Sequence, residues 1–115
     1  MSVVYVVQNQ HKMDDRSGHL VPKFDLSTAE EHGELRFLLS PSASPFNPES
    51  IIRDLRAGLT DYGKSDALLL IGGPALIGWA CALAAARTGG FVTTLQWSGR
   101  DQRYIRIQAD LRGRE

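Results

Sequence analysis

Apolar residues fall into short runs separated by polar turns, and the spacing inside each run indicates which element it forms. Val3-Val4-Tyr5-Val6-Val7 is an unbroken β-branched and aromatic run, the pattern of a strand covered on both faces in mid-sheet. Residues 8–19 turn polar: Ser17-Gly18 marks a turn, and Asp14-Asp15-Arg16 reads as solvated loop. Ser27-Thr28-Ala29-Glu30 has the residues of a capping box, which predicts a short helix ending at Gly33. Leu35-Arg36-Phe37-Leu38-Leu39 reads as a second strand. The next nine residues, 40–48, carry three prolines and three serines and predict a loop.

Asn47-Pro48-Glu49 marks a helix start: asparagine can cap, proline suits the first helical position and glutamate complements the positive end of the dipole. The helix should run over residues 48–59, with Ile51, Ile52, Leu55 and Leu59 on one stripe and Arg53, Asp54 and Arg56 facing away. Residues 67–71 read as a third strand buried on both faces, and 74–87 as an alanine-rich helix ending at Gly89-Gly90. Phe91, Thr93, Leu95 and Trp97 alternate, a turn follows at Ser98-Gly99-Arg100-Asp101, and residues 104–109 alternate again, which predicts a hairpin. The fold class expected is α/β: a small three-layer sandwich with a mostly parallel five-stranded sheet and an antiparallel C-terminal edge hairpin, in strand order 2-1-3-4-5. Residues 1–115 are read as a single α/β domain.

The helix of residues 74–87 is apolar nearly all round, with Gly78, Ala82 and Ala86 as a ridge of small residues. Such a helix needs cover on two sides. One is the sheet; the other is either a second subunit, making a homodimer, or the loop of residues 40–48, with Gly78 or Ala82 at a close contact.

Thirteen basic and thirteen acidic side chains cancel, so no overall field would hold the chain on nucleic acid or an anionic membrane. The lone Cys81 and an N-terminus without a basic segment point to a reducing, cytoplasmic setting. Residues 67–86 carry no charge over a length that could span a membrane, but Gly72-Gly73-Pro74 would break one continuous helix there, and strand, turn and buried helix is the better reading.

Two groups of residues are candidates for function. Gly72-Gly73 lies between a strand and a helix, where backbone amides suit an anion, and Gln8, Asn9, Gln10 and His11 would stand beside it if the first and third strands are neighbours. The alternative is that the glycines only make a tight turn and the polar residues only leave the sheet. Trp97, Arg100, Arg103, Tyr104 and Arg106 gather on the terminal hairpin, joining rings that stack to guanidinium groups that pair with phosphates or carboxylates. Here the alternative is a core tryptophan and arginines that guard an edge strand. His11, His19 and His32 lack metal-ligand spacing, the acidic residues fall in loops and a capped helix, and no nucleotide, phosphate-loop or catalytic signature is present. No catalytic residue, metal or cofactor is expected.

The stretch Leu70-Ile71-Gly72-Gly73-Pro74-Ala75-Leu76-Ile77-Gly78-Trp79-Ala80, with Leu95-Gln96-Trp97-Ser98-Gly99-Arg100-Asp101-Gln102-Arg103-Tyr104-Ile105, resembles a family of small proteins encoded by bacteriophages and prophages. Pro22-Lys23-Phe24-Asp25-Leu26-Ser27 and Pro45-Phe46-Asn47-Pro48 belong to the same pattern. The resemblance brings no activity or ligand; it implies a protein outside the virion, at work in bacterial cytoplasm by binding host machinery. Two readings follow: a binding module, homodimeric, that engages a host protein or nucleic acid through the terminal hairpin without entering the membrane, or a small nucleotide-binding or phosphate-handling enzyme built on Gly72 and Gly73.

Overall fold

The unbroken apolar run forms β1, Val3–Gln8, and its place in the sheet follows from its lack of a polar face: it lies between two parallel neighbours, β4, Glu34–Leu39, and β5, Ala67–Leu69. The computed structural model describes residues 2–113. β5 pairs in parallel with β6, Phe91–Ser98, which pairs antiparallel with β7, Arg103–Asp110. The order β4-β1-β5-β6-β7 is the 2-1-3-4-5 order expected from sequence. Two helices, α1, Pro48–Gly58, and α2, Pro74–Thr88, make the crossovers from β4 to β5 and from β5 to β6.

Both helices lie on one face, where Tyr5, Val7, Leu39, Leu68 and Val92 meet Ile51, Leu55, Leu59, Leu76, Ala80 and Ala84. The β1–β4 connection runs the opposite way along the sheet and packs on the other face, as right-handed crossovers require. There Val4, Val6, Ala67, Leu69, Leu95 and Tyr104 lie under Ala29 of a 3-10 turn, Ser27–His32. The third layer of the sandwich is therefore thin. At the foot of the sheet the buried Asp66 accepts the amide of Val3 at 2.8 Å and that of Gly63 at 2.9 Å, tying the start of β1 to the α1–β5 loop.

Three local expectations are corrected. The polar region after β1 is not all loop: β2, His11–Met13, and β3, Leu20–Pro22, form an antiparallel ribbon apart from the main sheet. Its turn is closed by side chains, the Asp14 carboxylate accepting the Ser17 hydroxyl at 2.8 Å, a stabilisation that hydrophobic periodicity does not register. The helix expected at Ser27 is a 3-10 turn without a Ser27 cap; the Asp25 carboxylate instead accepts the Ser27 amide at 3.0 Å. Asn47 likewise caps α1 with no side-chain bond, and its backbone carbonyl accepts the Ile51 amide.

The third correction concerns α2. Leu76, Ala80 and Ala84, four apart, are buried on the sheet, whereas Gly78 and Ala82 point outward, and a side chain built at Gly78 would meet nothing within 4 Å. Ala43 of the loop of residues 40–48 packs in the same apolar cluster as Ile77 and Trp79, but the side of α2 that carries Gly78, Ala82 and Ala86 stays exposed within this chain. α2 ends where Gly89 takes a left-handed φ of 74°. Among the described residues no helix is long and apolar enough to cross a membrane; residues 67–86 divide into β5, the glycine turn and α2.

The burial pattern sets a stability contrast. Ala80→Leu overpacks a closed site and should lower stability by about 1–3 kcal/mol, whereas Ala82→Leu should change it by no more than about 0.5 kcal/mol, both read by chemical denaturation.

Candidate functional site

β1 ends in a glutamine whose side chain is buried at the carboxyl end of the sheet. The Gln8 amide nitrogen points at three carbonyls, those of Ser40 and Pro41 at 3.2 Å and of Ala43 at 3.0 Å, and its oxygen accepts the Gly73 amide at 3.0 Å. The Gln8 backbone amide adds a bond to the Ile71 carbonyl at 2.9 Å. Gly72 is glycine for two reasons visible here: its φ is 137°, and a Cβ on it would come within 2.8 Å of the Gln8 Cβ. The Gly72-Gly73 turn is thus a structural joint, and the amide that could have held an anion is occupied from inside.

Beyond this joint a cavity of about 630 Å³ opens over the carboxyl ends of β5 and β6. Its floor is Leu69, Ile71 and Leu95, and Gly72 forms part of its rim. Trp97 and Tyr104, partners across the hairpin, form one wall, their rings edge to face with centroids 5.1 Å apart. Phe24, Asp25 and Gln10 form the opposite wall, brought there because the Gln10 carbonyl accepts the Lys23 amide at 2.7 Å where the β2–β3 ribbon closes. Tyr104 is buried, while Trp97 is 43% exposed and Phe24 40% exposed.

The electrostatics are one-sided. Asp25 brings a carboxylate, Gln10 and Gln96 bring neutral amides, and neither lysine nor arginine lines the cavity. The Ser27 amide and hydroxyl hold the Asp25 carboxyl below its ordinary range, so it is ionised through neutral and mildly acidic pH. Burial, then the Asp25 charge, pushes the Tyr104 phenol up, so it remains a neutral hydroxyl. The Lys23 ammonium lies 5.5 Å from the Phe24 ring centroid, a cation already placed against one of these rings.

The structure brings together members of both sequence-derived groups and separates others. Gln10 and Gly72 share the cavity with Trp97 and Tyr104. Gln8 and Gly73 stand behind it, bonded to each other. Asn9 lines a neighbouring hollow of about 400 Å³ beside Phe24 and Asp25, and its buried Oδ1 has no partner among the described residues. His11 leaves on the exposed ribbon. Arg106 reaches back to the Ser65 carbonyl at 2.9 and 3.2 Å, and Arg100 and Arg103 are exposed at the hairpin tip, so none of the three arginines lines the cavity. Phe24, Asp25 and Gln96 were not named as site residues by sequence reasoning; the signal that could have found them was their place in the stretches of residues 22–27 and 95–105 that carry the family resemblance. Among the described residues no three His, Cys, Asp or Glu side chains are placed to hold a metal ion.

A family model described as Phage Pam3 gp32-like protein matches residues 2–111. Neither a curated protein nor a solved structure matches.

Two measurements check this geometry. Gln8→Leu leaves the Gly73 amide and three carbonyls without their partner and should cost about 1–3 kcal/mol in denaturation. The Asp25 carboxyl should titrate by NMR below an ordinary aspartate and rise toward it in Ser27→Ala. Because its folded pKa is depressed, its small stabilising contribution is complete above the unfolded pKa and is lost as pH falls through the folded value.

Proposed function

The chain belongs to the Phage Pam3 gp32-like protein family, and from that premise we propose that it is a binding module of the bacterial host cytoplasm that takes a basic side chain of a host protein into the cavity between Phe24, Asp25, Trp97 and Tyr104. The observation that carries this reading is the lining itself: aromatic rings around a carboxylate, with no cationic residue. A lysine or arginine side chain is attracted to ring faces by their quadrupole, by about 0.5–2 kcal/mol. A carboxylate adds a charge-assisted hydrogen bond. A phosphate would meet the Asp25 charge, and the nearby ammonium, that of Lys23, lies against the Phe24 ring and is not part of the lining. The phosphate-handling alternative also loses its donor, since Gly73 gives its amide to Gln8.

A nucleic-acid partner would draw on Arg100 and Arg103 instead, which are exposed on the hairpin. The two partner classes therefore call on different residues of the same hairpin, and variants separate them.

Tryptophan fluorescence during titration with a lysine- and arginine-containing peptide, its glutamate counterpart and a single-stranded oligonucleotide makes the comparison. The basic peptide should bind, with affinity reduced at least about tenfold in Phe24→Ala or Asp25→Asn and unchanged in the Arg100→Ala, Arg103→Ala double variant. Binding should also weaken as pH falls through the depressed pKa of Asp25. Equal affinity for both peptides would overturn the reading. Oligonucleotide binding lost only in the arginine variant would put nucleic acid in the protein's place.

A further inference from the structure

β7 is a long strand at the edge of the sheet, and apart from Tyr104 every residue in it is exposed. A strand that is bare on both faces and along one edge is a template for pairing, and proteins guard such edges with proline, bulges or outward charges. Here β7 pairs with β6 without interruption from Arg103 to Asp110 and contains no proline. Arg106, the one charge between Ile105 and Ala109, is drawn across the sheet to the Ser65 carbonyl and does not guard the edge.

The orientation of the edge can be derived. The Leu111 amide donates to the Gly90 carbonyl at 2.7 Å, so by alternation the backbone groups of Ile105, Ile107 and Ala109 face β6, and those of Arg106, Gln108 and Asp110 face away. Side chains alternate as well: Ile105, Ile107, Ala109 and Leu111 share one face, and Arg106, Gln108 and Asp110 share the other. Ile105, Ile107 and Leu111 are 37%, 48% and 60% exposed, an apolar row that this chain covers only in part. At the strand's beginning the edge is occupied, because the His32 ring meets the Tyr104 carbonyl at 3.0 Å.

We infer that a second copy of this chain pairs with this edge, β7 against β7, about a two-fold axis at Gln108. Two-fold antiparallel pairing keeps each side chain on its face, so even-numbered residues oppose even-numbered ones and odd oppose odd. An axis at Arg106 sets two guanidinium groups opposite each other, which is destabilising. An axis at Ile107 runs the partner onto Tyr104, where His32 already sits. The axis at Gln108 sets no two arginines opposite each other, and its pairing ends at Ile105 opposite Leu111, one residue short of the Tyr104 carbonyl that His32 holds. It sets Arg106 opposite the partner's Asp110 twice over, Ile107 opposite Ala109 and Ile105 opposite Leu111, so one face is apolar throughout and the other carries opposite charges, with Arg106 exchanging its bond to the Ser65 carbonyl for the partner's carboxylate on pairing. Asp110, which already holds its own Arg112 at 3.0 Å, then stands between two guanidinium groups. Residues 105–111 include none that line the cavity, so the pairing and the ligand reading stand or fall separately.

Sedimentation of the full chain over a concentration series, with hydrogen exchange, tests the pairing. The chain should dimerise, with slowed exchange at the Arg106 and Gln108 amides. Arg106→Glu should raise the dissociation constant by roughly tenfold by opposing like charges at two places, and Arg106→Glu with Asp110→Lys should restore it. Gln108→Cys in a Cys81→Ser background should form an interchain disulfide on oxidation, since residues opposed in a hydrogen-bonded pair lie about 5.5 Å apart at Cα. A chain that sediments as a monomer at every concentration overturns the inference. So does a dimer in which the charge swap rescues nothing and Gln108→Cys does not crosslink; its contact would lie elsewhere, the uncovered face of α2 being the next surface to probe.

Discussion

One buried amide joins parts of the chain that are otherwise far apart. Gln8 ends the central strand, and its side chain bonds both to the loop that follows β4 and to the turn that precedes α2. A glutamine amide carries two donors and an acceptor, and in a dry site each needs a partner. Here the nitrogen finds carbonyls on one side and the oxygen finds the Gly73 amide on the other. The bonds link the two neighbours of β1 at their carboxyl ends, where no strand pairing continues. Without this clamp, the start of α2 and the loop of residues 40–48 would lose the side chain that bonds the Gly73 amide and three loop carbonyls.

The clamp also decides where chemistry can take place. A glycine turn at a helix start would usually offer amides to an anion. Gln8 occupies that position, and the accessible volume lies farther out, over β5 and β6, where the lining is aromatic and acidic. The proposed preference for a cation over a phosphate rests on the Asp25 charge and on a lining without lysine or arginine.

Unequal cover of the two sheet faces explains the rest of the surface. α1 and α2 close one face over β4, β1, β5 and the first part of β6, and a single 3-10 turn covers the other. That turn is too short to reach across the carboxyl ends of β5 and β6, so the cavity stays open there. Neither layer closes over β7 past Tyr104, which leaves its isoleucines partly exposed. The cavity follows from having only one short connection on the second face; the isoleucine row lies on the helix face with Val92, beyond the reach of α1 and α2.

Element type and order could be read from sequence because local patterns carry them. The apolar run of Val3 to Val7 leaves no face for water, the spacing of Ile51, Leu55 and Leu59 suits only a helix, and proline after two glycines must divide residues 67–86. With right-handed crossovers, those elements leave few strand orders, and the expected one is observed. The site could be read only in part. Trp97, Tyr104, Gln10 and Gly72 were singled out, but in two separate groups, and that they share one cavity depends on the path of the β2–β3 ribbon, which brings Phe24 and Asp25 opposite the hairpin. The roles of Gln8 and α2 were decided by tertiary structure alone. A glutamine at a strand end has the same sequence whether it is solvated or bonded to four distant groups, and an apolar helix has the same sequence whether one side or two are covered. Periodicity reports which side chains lie on the same face; what meets that face depends on contacts between residues far apart in the chain, which local pattern does not encode.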